Sequence, residues 1–216
     1  MKKIKSGQKK DNGKGFLTAS IVLLILSILM IILVANENSF VLSIDEKVNS
    51  YVENIQNPTM NVVMIAITSV GNLWVLMPLS SLLILALLFK KKYHKAIFAF
   101  TVLAAGVITG EVLKYGINRL RPFNSLIIEN DPSFPSGHTL MSTVFFLIFI
   151  YEYRSEIKKS WKKVFVIFFT LVFIMIGLSR LCLNVHWMSD VLSSFLIGGF
   201  WVCFFVFLDK QVKHHE

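Results

Sequence analysis

The sequence predicts an all-α integral membrane protein, a six-helix bundle with a short interfacial helix after the first span. Three observations point there. Hydrophobic residues make up 55% of the 216-residue chain and charged residues only 16%, against about 25% charged in a typical soluble domain. Several apolar runs approach the roughly 18–20 residues that cross a bilayer as helix. The basic residues sit mostly in short stretches beside those runs, as the positive-inside bias requires. The net charge of +9 therefore reads as membrane topology and not as a nucleic-acid surface; no nucleic-acid partner is expected.

The elements follow in order. Residues 1–15 form a polar tail with six lysines, expected in the cytoplasm. Phe16 to Ala35 is the first span. It is longer than the apolar core of a secretory signal and no clean small-x-small site follows, so it reads as an uncleaved helix. Asn36 to Pro58 is mildly acidic and places Val41, Ile44, Val48, Tyr51, Val52 and Ile55 at roughly helical spacing, the pattern of a helix lying on the membrane surface. Met60 to Phe89 is apolar but interrupted at Gly71-Asn72. Lys90, Lys91, Lys92 and Lys95 follow it, and both they and the N-terminal tail should face the cytoplasm, so one crossing is required between them. The second span is therefore placed at 72–89, with 59–71 as its broken first part. Ala96 to Tyr115 is the third span and Arg119 to Phe134 an outer loop. Thr139 to Tyr151 is a short fourth span, Val164 to Leu178 the fifth and Val191 to Leu208 the sixth. The membrane domain is thus 16–208, and 209–216 returns to the cytoplasm.

This arrangement leaves five of the 22 basic residues outside: Lys47, Lys114, Arg119, Arg121 and Arg180. Four of the five belong to clusters with chemical content. Charge at membrane depth is costly and marks function. Cys182 and Cys203 carry little information. About 20 residues along one helix would separate them by roughly 30 Å, beyond disulfide reach.

The first cluster is Lys114 to Pro122. Lys114 and Arg121 are seven apart, so on a helix they share a face two turns apart, with Pro122 ending that helix. Snorkelling of long basic side chains at a span end is the plain alternative, but the outer end is where the bias disfavours them. Glu111, one turn before Lys114, is expected to pair with it or to bond within the bundle. The second cluster is Pro135-Ser136-Gly137-His138, at the start of the fourth span. There a helix N-terminus offers free N–H groups, Gly137 permits close backbone approach and Ser136 adds a hydroxyl; an ordinary N-cap is the alternative. The third runs from Ser179 and Arg180 to His186 and Asp190. His186 and Asp190 are four apart, so one helical turn brings carboxylate to imidazole. A carboxylate on one ring nitrogen exposes the lone pair of the other, which makes a nucleophile; a polar plug between spans is the alternative. Together these groups describe a pocket for an anion, phosphate above all. A metal among the two histidines and Asp190 is disfavoured by the cations beside them.

In this order, Lys-x6-Arg-Pro, Pro-Ser-Gly-His and Ser-Arg-x5-His-x3-Asp resemble the signature of the type 2 phosphatidic acid phosphatase superfamily. The resemblance covers Lys114 to Asp190 without departure at a signature position. It implies a metal-independent membrane phosphatase without cofactor, acting on a lipid phosphate at the outer face of the plasma membrane. It implies a phosphohistidine on His186, with Asp190 orienting it and His138 protonating the leaving oxygen. Lys114, Arg121 and Arg180 would hold the phosphoryl oxygens, with Ser136 and the Gly137 N–H beside them. Arg119 lies off the signature and is held as secondary. The outward site favours undecaprenyl diphosphate, released on that face, over phosphatidylglycerol phosphate or phosphatidic acid. A lipid phosphotransferase and a non-catalytic lipid head-group binder are the rival readings.

Overall fold

The computed structural model describes residues 13–215, with side chains through residue 212. The expected cytoplasmic tail at 1–15 falls almost wholly outside the described residues. Among the described residues there are eight helices and no strand: α1 (Lys14–Ala35), α2 (Ser39–Ile55), α3 (Pro58–Val70), α4 (Leu73–Phe89), α5 (Tyr93–Ile117), α6 (Gly137–Tyr153), α7 (Lys159–Cys182) and α8 (Met188–His215). Five stretches are long and apolar enough to cross a membrane: α1, Pro58–Phe89 taken as one, α5, α7 and α8. The fourth of the six expected spans is α6, which has 17 residues and falls short of that length. It is the inner helix of the bundle. Thr139, Ser142, Thr143, Val144 and Ile148 are all buried on it.

The interruption at Gly71-Asn72 is a real break. Gly71 closes α3 against α7, where a Cβ would come within 2.5 Å of Ile176 Cγ2. Asn72 then caps α4 by accepting from the Trp74 N–H at 3.0 Å. On either side of the break, α3 packs on α7 and α4 packs on α5.

Helix α2 is amphipathic as expected, but not as a single stripe. Asn38 caps it, accepting from the Phe40 and Val41 N–H groups. Val41 and Val52 turn inward, whereas Ile44, Tyr51 and Ile55 are exposed. Asp45 lies one turn beyond Val41 and is buried with it. So α2 has two apolar edges, one set on the ends of α7 and α8 and one facing out.

The core gathers Leu76, Val102, Val144, Ile148, Ile176 and Val206 from α4 to α8. The outer surface stays apolar, with Ile25, Leu82, Ile97, Ile108 and Val164 exposed, as lipid-facing positions are in a multi-pass membrane protein. Small residues let the inner helices touch. A Cβ on Gly198 of α8 would lie 2.9 Å from Thr143 Cγ2. Thr143 is β-branched and its hydroxyl is held by the Thr139 carbonyl at 2.7 Å, so it cannot swing aside freely. Gly198→Ala is therefore expected to destabilise the protein by about 1–3 kcal/mol. The check is the thermal midpoint in detergent, which should fall; an unchanged midpoint would mean that α6 and α8 separate at no cost.

Cys182 and Cys203 lie on different helices, not on one, and both are free thiols.

Candidate active site

The site lies where α5 ends, α6 begins and α7 turns into α8. Lys114 sits in the last turn of α5. That helix stops at Ile117, because Asn118 takes the left-handed conformation (φ 51°, ψ 43°) and bonds its N–H back to the Lys114 carbonyl at 2.8 Å. Asparagine tolerates this conformation better than other residues with a side chain. The helical stripe expected for Lys114 and Arg121 therefore does not exist. Arg121 reaches the site from the following loop, and the two cations meet on one carboxylate. Arg121 Nη2 donates to Asp131 Oδ1 at 2.8 Å, and Lys114 pairs with Asp131 Oδ2. Asp131 thus takes the partner role expected of Glu111, which lines the nearby cavity instead.

Helix α6 starts as expected, with Ser136 as its N-cap. The Ser136 hydroxyl is fully buried and engaged locally, 2.9 Å from Thr139 Oγ1 and accepting from the Thr139 N–H. It does not line the cavity, whereas Gly137 and His138 do. An ideal Cβ on Gly137 would lie 3.7 Å from Lys114 Nζ, so the bare backbone there opens toward the ammonium.

Helix α7 ends through Asn184, also left-handed (φ 51°). Its N–H bonds the Leu181 carbonyl and the Val185 N–H bonds the Arg180 carbonyl, a helix-closing turn that throws the chain back over the site. Arg180, 1% exposed, donates to Thr68 Oγ1 at 3.0 Å and pairs with Glu129 Oε1. Glu129 Oε2 also meets Arg121 Nη1 at 2.8 Å and stands 4.0 Å from His186 Nε2.

His186 lies in the turn before α8, not within the helix. Asp190 occupies the first turn of α8 and accepts from the Trp187 N–H at 2.9 Å, one half of a capping box. Asp190 Oδ2 is 3.5 Å from His186 Nδ1, a close approach but long for a hydrogen bond. On the other side of the ring, Arg121 Nη1 is 3.1 Å from Nε2. A guanidinium only donates, so Nε2 is the acceptor and Nδ1 carries the proton toward Asp190. Burial, then Arg180 and Arg121, hold the His186 imidazole well below its ordinary range, so it is neutral. Burial by itself would raise the Glu129 carboxyl, but Arg180 and then Arg121 bring it down to about 2.

A cavity of about 280 Å³ opens beside His186 and Glu129; Arg121 and Arg180 meet it through the carboxylates they pair with. Its polar end carries Lys114, Glu129, Asp131, Gly137, His138 and His186. Its apolar side runs past Gly106, Val107 and Gly110 of α5 to the α3–α4 break. The arrangement offers Lys114 on the cavity wall with Arg121 and Arg180 paired to its carboxylates, a neutral imidazole whose acceptor nitrogen is held by Arg121, a second imidazole and an apolar annex. It suits an anionic head group joined to an apolar chain.

Sequence reasoning missed Glu129, Asp131 and Asp45. A signal existed for the loop pair, since cations withdrawn from water demand counter-ions and these are the carboxylates closest before Pro-Ser-Gly-His. Asp45 was legible as well, because 41, 45, 48 and 52 share one face of α2.

Residues 94–212 match the PAP2 superfamily. Phosphatidylglycerophosphatase B of Bacillus subtilis (strain 168) is 30% identical over 173 residues, which cover 78% of this chain and 85% of that one. An undecaprenyl-diphosphatase of Sulfolobus acidocaldarius is 29% identical over 156 residues, 69% of this chain and 70% of its own. The crystal structure of a transmembrane PAP2-type phosphatidylglycerolphosphate phosphatase from Bacillus subtilis superposes with a TM-score of 0.83 at 26% identity, covering 91% of this chain and 98% of the other.

Proposed function

This chain belongs to the PAP2 superfamily and is a membrane lipid phosphatase, and from that premise we propose that it hydrolyses a lipid phosphate or diphosphate at the outer face of the membrane through a phosphohistidine on His186. The observation that carries this reading is the environment of His186. Its Nε2 accepts, its Nδ1 proton faces Asp190, and Arg121 and Arg180 both reach its neighbour Glu129.

Each group then has a task. The substrate phosphate takes the place of the Glu129 carboxylate between Arg121 and Arg180, and Lys114 and the Gly137 N–H approach it from the other side. Arg121 shifts its donor from Nε2 to a phosphoryl oxygen, which frees the lone pair. Nε2 attacks phosphorus, the bond to the leaving oxygen breaks, and His138 supplies the proton that oxygen takes up. Asp190 stabilises the positive ring that forms. Water then attacks the phosphohistidine and gives its proton to His138, the P–N bond returns its pair to Nε2, and orthophosphate leaves. Charge stabilisation by fixed donors is the main demand of phosphoryl transfer, and three cations supply it. Ser136 supports the site from beneath as the cap of α6.

The preferred substrate is undecaprenyl diphosphate, favoured by an outward-facing site and by the relative of that activity. Phosphatidylglycerophosphate is the second reading, favoured by the Bacillus relative and by its solved counterpart. The test is phosphate release by purified protein from a panel of lipid phosphates with chelator present. Release is expected to be unchanged by EDTA and fastest with undecaprenyl diphosphate. Loss of release on chelation would sink the metal-free mechanism, and faster release from phosphatidylglycerophosphate would decide for the second reading.

A further inference from the structure

Arg119 lies off the family signature, yet both terminal nitrogens of its guanidinium are held by carboxylates. Its Nη1 donates to Asp190 Oδ1 at 2.7 Å, and its Nη2 donates to Asp45 Oδ2 at 2.7 Å. Asp45 and Asp190 are buried, 1% and 0% exposed, and Arg119 is largely withdrawn from solvent at 12%. Ser189 closes the ring. Its hydroxyl accepts from Arg119 Nη1 at 2.7 Å and donates to Asp45 Oδ2 at 2.6 Å, and its N–H donates to Asp45 Oδ1 at 2.8 Å. The guanidinium also stacks over Trp187, 5.5 Å from the ring centroid.

This cation is engaged away from the phosphate pocket. Its terminal nitrogens are taken up by Asp190, Ser189 and Asp45, none of them a carboxylate of the Glu129–Asp131 pair that holds Arg121 and Arg180 to the cavity, and it lines a separate cavity with Asp45 and Trp187. It is not needed to cap α8 either, since the Trp187 N–H already meets Asp190 Oδ2. What it adds is a second fixed point. A carboxylate held by one oxygen can turn about its terminal torsion, which is broad and soft. Held at Oδ1 by Arg119 and at Oδ2 by Trp187, the Asp190 plane is locked with Oδ2 toward His186 Nδ1. Asp45 in turn locks the guanidinium plane from α2, a helix that supplies nothing else to the site.

We propose that Arg119 and Asp45 are positioning residues that hold Asp190 against His186, so that the interfacial helix α2 is a working part of the catalytic apparatus. The inference rests on the reading of His186 and Asp190 given under Proposed function.

The experiment is steady-state kinetics on the full-length protein in detergent with a lipid phosphate that the wild type hydrolyses, using Arg119→Gln, Arg119→Lys and Asp45→Asn, alone and combined with Asp190→Asn. A misplacement of about 1 Å can lower a rate about 10²-fold, and a loss of that order in kcat is expected for Arg119→Gln, with KM unchanged. Arg119→Lys keeps the charge but cannot bridge two carboxylates and should fall between. Asp45→Asn keeps shape and should lower kcat less, again at constant KM. In the Asp190→Asn background none of the three should lower the rate further, because the group they position is gone. Losses that multiply in that background, or a rise in KM at constant kcat, would overturn the proposal. If Arg119→Gln does not accumulate as folded protein, Asp45→Asn and Arg119→Lys carry the same cycle. A wild type that releases phosphate from no lipid would instead sink the phosphatase mechanism, and this inference with it; an active wild type with indifferent Arg119 variants sinks this inference alone.

Discussion

His186→Ala is expected to reduce phosphate release by about 10⁴-fold or more, the scale on which enzymes lose activity when a nucleophile is removed. His186 is 3% exposed, with Arg121, Glu129 and Asp190 around it, and alanine leaves no nucleophile at the point that Nε2 occupies. The fold should survive, because the ring makes no hydrogen bond that closes a helix. The discriminating measurement is acid-labile, base-stable phosphate on the protein during turnover. Wild type should carry it transiently and His186→Ala should not. His138→Ala should slow release while still forming the adduct, because it acts on the leaving oxygen and the incoming water. Adduct formation by His186→Ala would remove the proposed nucleophile from consideration.

Arg180→Gln is the second large effect, expected to lower kcat/KM by about 10²–10³-fold, or roughly 2.7–4 kcal/mol of barrier, by analogy with the loss of one oxyanion donor. Arg180 is, among the described residues, the largest of the fully buried side chains and is held in place by Thr68 and Glu129, so once the phosphate has displaced Glu129 its donors need no further reorganisation when negative charge develops. Arg180→Lys should recover little. An ammonium is a compact point charge and cannot serve Thr68 and an anion with the planar fork that a guanidinium offers. A second consequence follows from removing a buried partner: Glu129 would lose one of its two cations, and an uncompensated buried charge is destabilising. Arg180→Gln with Glu129→Gln should therefore be more stable than Arg180→Gln alone, by thermal midpoint, without regaining activity. A full return of activity in the pair would mean that Arg180 serves only to balance Glu129.

The carboxylates Glu129 and Asp131 show how far residue types can be read before their positions are known. The sequence presents Lys114, Arg121 and Arg180 as a cationic pocket, and the structure brings them together, yet each is paired with an acid from the loop between α5 and α6. Loop residues have no periodicity to announce which way they face. Their role emerges only when the chain folds back and the bill of buried charge has to balance.

What the sequence determined by itself is whatever depends on local composition and spacing. Apolar length marks the membrane segments and basic flanks suggest their direction. The Gly71-Asn72 pair marks the break between α3 and α4. The three motifs name Lys114, Arg121, His138, Arg180, His186 and Asp190, and their order carries the family. What the tertiary structure alone decided depends on contacts between segments far apart in the chain. It ended α5 at Asn118 and made Arg121 a loop residue. It turned the Ser136 hydroxyl inward as a cap and put Arg119 behind Asp190 with Asp45 for a partner. The physical reason is range. Helix periodicity and hydropathy act over a few residues, whereas hydrogen bonds and ion pairs join whichever groups the packing of helices leaves within 3 Å or so, and 74 positions of chain separate Asp45 from Arg119.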